Sequence, residues 1–111
     1  MSDTTTILFL LLVGHAVADY PLQGDFLSRA KSYKNPIPGV DWWIALAMHC
    51  LIHAGSVWLV TGSTLLASCE FGAHFAIDTA KCGGFILFRT DQLLHVACKL
   101  AIVVAWCITH A

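Results

Sequence analysis

Apolar residues gather in four long stretches of this chain, at about 4–20, 41–61, 64–81 and 90–109. Each is too long for a strand and has the length of a helix that buries most of its surface. Ile7 to Val13 are continuously apolar, and Ile44 to Val60 hold no group ionised at neutral pH, only His49 and His53. The breaks are as clear. Pro21 stops the first stretch, and Asn35-Pro36-Ile37-Pro38-Gly39 is a turn cluster. Between them, Asp25 to Ser32 can make an amphipathic turn or two. Thr61-Gly62-Ser63 is a tight uncharged turn, and Cys82-Gly83-Gly84 closes the third stretch before a short apolar link at 85–88. Thr4 to Thr6 offer hydroxyls to start the first helix, and Asp41 is a plausible N-cap for the second. The pattern predicts an all-α fold: one domain over 1–111, built as an antiparallel four-helix bundle.

Polar residues interrupt these stretches at a repeated spacing. His15/Asp19, His49/His53, His74/Asp78 and Asp91/His95 are each four apart, and each pair falls in a different stretch. Residues four apart lie above one another on a helix face. Glu70 extends the third stripe backwards and Lys99 extends the fourth forwards.

Composition decides the solvent. Hydrophobic residues make up 58% and charged residues 12% of 111 positions, and mean hydropathy is +0.73. A small soluble domain has too little interior to hide that much apolar surface, so the bundle is expected to be integral to a membrane. Arg29, Lys31 and Lys34 fall in the first connection and Lys81 and Arg89 in the third, while the second connection and both termini hold no Lys or Arg. The positive-inside rule then puts both termini outside the cytoplasm. Ala16-Val17-Ala18 has the form of a signal-peptide cleavage site, but no Lys or Arg precedes it, so 4–20 is read as a retained helix. A net charge of −1 and the lack of a basic helix give no reason to expect nucleic acid. Five cysteines without a C-x-x-C are read as small buried hydrophobes, not a disulfide framework.

The four pairs are expected to meet. In an up-down bundle the ends of the first and third helices lie beside the starts of the second and fourth. His15/Asp19 and His74/Asp78 are near helix ends, and Asp91/His95 near a start. His49/His53 lie deeper, about 12–18 Å in at 1.5 Å per residue, and would form the floor. A charged Asp at the centre of a membrane helix costs about 2.5–3.5 kcal/mol, so it should face inward with a partner. Five imidazoles and three Asp exceed what one tetrahedral ion needs. They suggest one or two divalent ions, with Zn first and Mn or Fe next. The expected ligands are His15, Asp19, His49, His53, His74, Asp78, Asp91 and His95. Glu70 or Asp78 would serve as general base. Single-residue alternatives exist: Asp91 also suits a helix start, Asp19 can form a turn before Pro21, and Lys99 can neutralise acids or snorkel. None accounts for four pairs in one half of the bundle.

The chain resembles the DUF3307 family of small bacterial and phage integral membrane proteins. The resemblance rests on His15-x-x-Ala18-Asp19-Tyr20-x-Leu22-Gln23-x-Asp25, Leu51-Ile52-His53, His74-Phe75-Ala76-Ile77-Asp78-x-x-Lys81 and Asp91-Gln92-x-x-His95. In its H-x-x-x-D logic it is also distantly similar to the YdjM-like membrane-bound metal-dependent hydrolases. These resemblances imply a multi-pass protein of the bacterial inner membrane. They make Gln23, Asp25, Lys81, Arg89 and Gln92 groups that orient ligands or substrate.

Three functions are weighed. The first is a metal-dependent hydrolase acting on a lipid or phosphoester at the cytoplasmic interface, with Lys81, Arg89 or Lys34 holding a lipid phosphate. The second is a non-catalytic metal-stabilised module that binds a partner, mediates a phage–host interaction or moves ions or protons. The third, a haem b bundle, fits poorly beside three Asp. Small residues at Gly55, Gly72 and Ala76 would allow close packing between copies, and so a homo-oligomer.

Overall fold

The structure, a computed structural model, describes residues 3–110. Among the described residues it is all-α, with five helices and no strand: α1 (Thr4–Asp19), α2 (Gly24–Ala30), α3 (Trp42–Thr61), α4 (Thr64–Cys82) and α5 (Phe88–Thr109). The four long helices match the four apolar stretches to within two residues. The fourth begins two residues earlier than expected, at Phe88.

The helix ends follow local chemistry. Asp3, not the threonine hydroxyls, caps α1 by accepting from the Thr6 amide at 2.8 Å. That hydrogen bond holds the exposed Asp3 carboxyl below its ordinary pKa. Asp41 precedes α3 but makes no capping bond through its side chain. Gly62, at φ 70°, ends α3 in the left-handed region open to glycine, and its N–H bonds to the Trp58 carbonyl. Ser63 then caps α4 on the Leu66 amide at 3.1 Å.

α3 packs against α1 and α4, and α5 against the same two, so the long helices form a closed ring with α2 lying on α3. Thr4 of α1 meets Cys107 of α5, whereas His15 meets Gln92. α1 approaches α3 so closely that a Cβ on Gly14 would collide with the Ser56 hydroxyl. The molecule measures 48 × 22 × 22 Å.

Each inward stripe advances in steps of four and changes chemistry half-way. On α1 it runs Ile7, Leu11, His15, Asp19; on α3, His49, His53, Val57, Thr61; on α5, Asp91, His95, Lys99, Val103. All are buried except Asp19, which is nearly so. The apolar members, with Ile102, form one core cluster at one end of the ring. The polar members fill the other end, so the bundle has a dry layer and a chemical layer.

α3 and α5 are long and apolar enough to cross a membrane. α1, with 16 residues, reaches about 24 Å and falls short of a hydrocarbon core of about 30 Å. It continues into α2 across a bend of 84°. In α4 the charges of Glu70, Asp78 and Lys81 are spread along the helix, whereas the last 18 residues of α5 hold only Lys99. Among the described residues, twenty-two large hydrophobic side chains are exposed, including Phe9, Leu59, Leu65 and Ile108. An apolar coat of that extent is far more than a small soluble protein presents. The cysteines differ from expectation. Cys50 is buried, Cys69 is exposed and the other three are intermediate; Cys50 lies in a second buried row of α3 with Leu46 and Ala54.

Candidate metal centre

The eight expected ligands come together from four helices. Asp19 Oδ1, at the end of α1, lies 2.8 Å from His53 Nε2, 3.2 Å from His49 Nε2 and 3.9 Å from His74 Nε2. His49 and His74 point Nε2 at one another at 3.2 Å. These four residues offer donor atoms all within 4.8 Å of one another. Four ligands at 2.0–2.1 Å around a tetrahedral ion stand about 3.3 Å apart. The two 3.2 Å separations are close to that edge, so small shifts of side chains already in place would complete a coordination shell.

A second set adjoins the first. His95 Nε2 lies 3.3 Å from Asp91 Oδ1 and 3.5 Å from Asp78 Oδ1. Asp78 faces both sets, since its Oδ2 is 3.4 Å from His49 Nε2 and 3.7 Å from His74 Nε2. His53, His74 and His95 stack as a column, with ring centroids 3.7 and 4.0 Å apart. His15 stands at the edge. Its Nε2 is 3.4 Å from Asp19 Oδ2 and 3.1 Å from Gln92 Oε1.

The surrounding groups hold these ligands in place. Gln92 donates to Asp19 Oδ2 at 3.1 Å and to Asp91 Oδ2 at 3.0 Å, tying α1 to α5. Glu70 is engaged on both oxygens: Oε2 lies 3.0 Å from His74 Nδ1, and Oε1 accepts from Lys99 at 2.7 Å. A carboxylate behind an imidazole in this way fixes the ring's orientation and leaves Nε2 free for a metal. Glu70 therefore sits behind a ligand and not at the open face where a general base would work. Asp78 remains at that face.

The polar layer opens through a cavity of about 380 Å³ beneath α2, lined among others by Asp19, Gln23, Asp25, Lys31, Asp78 and Lys81. Gln23 caps it by donating to the Asp19 carbonyl at 3.0 Å. Asp25 lies on the rim, exposed and paired with Arg29 at 3.1 Å. Arg89 and Lys34 are exposed and outside the cavity wall.

One important residue escaped the sequence pattern. Lys31, which reads as an ordinary loop cation, is 2% exposed and donates to Asp78 Oδ2 at 2.6 Å. The available signal was Leu27, Ala30 and Lys31 on one face of a short helix. Burial of that face carries the lysine inward.

The family model described as "Protein of unknown function (DUF3307)" matches residues 7–111. The chain belongs to the DUF3307 family. That match takes in all four ligand-bearing helices and α2, and so the whole centre. No curated protein and no solved structure matches the chain. For this DUF3307 protein, chemistry must be argued from the centre itself.

Proposed function

We propose that this DUF3307 protein is a membrane-embedded metal protein, folded as an antiparallel four-helix bundle in the bacterial inner membrane. We further propose that it hydrolyses a lipid or phosphoester at the cytoplasmic interface. One observation carries the reading: imidazole and carboxylate donors from four helices converge beside a polar cavity that their carboxylates Asp19, Asp78 and Asp91 line. Structural metal sites are closed, whereas catalytic sites keep an open side; here the cavity reaches the buried imidazoles only through Asp19 and Asp78, which line it.

Asp19, His49, His53 and His74 would hold the ion. A divalent ion there supplies a Lewis acid and an activated water. Asp78, at the open face, is placed to accept a proton. Gln92 keeps Asp19 and Asp91 in position. Lys81 on the cavity wall supports binding of an anionic headgroup, and the basic connections favour the cytoplasmic side for that face. Zn best suits three imidazoles with one carboxylate, with Mn and Fe next. The H-x-x-x-D likeness to YdjM-like hydrolases points the same way.

Metal analysis of detergent-purified protein, followed by assay of the loaded protein on phospholipids, phosphoesters and carboxyl esters, tests both parts. Bound metal with metal-dependent cleavage of one class supports the whole proposal. Bound metal with no cleavage across the panel removes the hydrolase and leaves a metal-stabilised module. Absence of metal after loading removes both.

The second reading, ion or proton movement, is favoured by the unbroken run of ionisable contacts from Lys99 through Glu70, His74 and His49 to Asp19. Flux into liposomes that His53→Ala abolishes would select it.

A further inference from the structure

Asp78, Asp91 and His95 are 2%, 1% and 1% exposed, and their donor atoms lie within 4.8 Å of one another. Their contacts are poorly satisfied. Asp91 Oδ1 and both ring nitrogens of His95 lack a hydrogen-bond partner. The 3.3 and 3.5 Å separations of His95 Nε2 from the two carboxylates exceed the roughly 2.7–2.9 Å of a charge-assisted hydrogen bond. They are nearer the edge of a coordination tetrahedron, about 3.3 Å. A buried carboxylate oxygen with no partner is costly, so this trio is short of a cation. The nearest one is Lys31, whose ammonium lies 2.6 Å from Asp78 Oδ2.

We infer that Asp78, Asp91 and His95 form a second cation position, joined to the first through Asp78, and that the Lys31 ammonium competes for it as a resident cation. The inference rests on the proposal that Asp19, His49, His53 and His74 hold a divalent ion. Charge balance supports it. Asp19, Glu70, Asp78 and Asp91 supply four negative charges, and Lys31 and Lys99 supply two positive ones. With neutral imidazoles, one divalent ion brings the buried layer to zero. A second ion would leave it at +2 while Lys31 stays, and uncompensated buried charge is strongly disfavoured; without Lys31 a second ion leaves +1, which a single anion from the cavity balances. Lys31 therefore keeps the centre mononuclear. It also keeps a fixed positive charge beside the cavity, which suits an anionic substrate.

Full-length protein loaded with Mn²⁺ alone, counted by elemental analysis and examined by electron paramagnetic resonance, tests this. Wild type is expected to hold one magnetically isolated Mn²⁺ per chain. Lys31→Met is expected to hold two, spin-coupled because paired ions in such centres lie about 3.5–4 Å apart. Lys31→Gln keeps a hydrogen-bond donor for Asp78 and should also hold two if the Met variant does not fold. Adding Asp91→Asn to either variant should return it to one. One ion in the wild type and in both Lys31 variants overturns this inference and leaves the first position standing. Two coupled ions in the wild type overturn it as well. No Mn²⁺ in any variant removes the first position, and this one with it.

Discussion

The Lys99–Glu70 pair offers a sharp separation of stability from metal binding. Both side chains are at most 2% exposed, and their charged atoms are 2.7 Å apart. Lys99→Met leaves the Glu70 carboxylate buried with only His74 as partner. Glu70→Gln leaves the Lys99 ammonium without its anion. Removing one member of such a pair costs about 3–5 kcal/mol, whereas replacing both is often close to neutral. The double variant should therefore be more stable than either single one, by about 3–5 kcal/mol on those figures. Metal affinity should sort differently. Glu70 also fixes His74 through Nδ1, and loss of such a partner weakens metal binding about 10–100-fold. Glu70→Gln and the double variant should both show that loss, while Lys99→Met, which keeps the Glu70–His74 contact, should show less than about tenfold. Equilibrium unfolding in mixed detergent gives the stabilities, and competition with a chromophoric chelator gives the affinities. A double variant that loses the sum of the two single costs would refute the mutual compensation. Unchanged metal affinity in Glu70→Gln would refute the orienting role.

Other consequences follow from the two layers. Asp19→Asn and His53→Ala should each weaken metal binding at least about tenfold, while Asp25→Asn, which changes an exposed rim pair, should leave it unchanged in the same chelator competition. Leu11→Ala, in the apolar layer and fully buried, should cost about 2 kcal/mol, the low end of the range for a bundle with the proposed lipid surroundings, yet keep the metal count by elemental analysis. Gly14→Ala should destabilise by about 1–3 kcal/mol through overpacking against Ser56, with most of the loss recovered in a Ser56→Ala background; an equal loss in both backgrounds would mean that another contact limits the approach of α1 to α3.

The long helices and their ligand pairs were legible because one spacing governs both. A residue every fourth position marks a helix face whatever its chemistry, so His15/Asp19 and Asp91/His95 could be placed on inward stripes before any contact was known. What stayed hidden were partners set by tertiary packing. Glu70 looked like a spare acid, and only its neighbour across the α4–α5 interface, Lys99, shows that it is committed behind His74. Lys31 was hidden further. It sits just past a seven-residue helix among exposed basic residues, and only its place on the face of Leu27 and Ala30 ranks it above Arg29 or Lys34. Its burial depends on the 84° turn from α1 into α2, which folds the connection back over the end of the ring.

The stripes also explain why the chemical layer cannot slide relative to the dry one. A row of residues in steps of four is inclined to the helix axis, because four residues exceed one turn of 3.6. From Ile7 to Asp19 the α1 stripe rotates by about 120°, at about 40° per step. It can stay inside the ring over that length only if its neighbours cross it obliquely. Those crossings are fixed at the apolar end by Leu11, Val57 and Val103 and at the polar end by Gln92 between Asp19 and Asp91. Turning α1 about its axis to move His15 and Asp19 out of the centre would carry Leu11 out of the core in the same motion. The apolar half thus holds the geometry of the centre: candidate ligands on four separate helices stay close together because each is on the same rigid stripe as a packed hydrophobic residue or a buried ion pair.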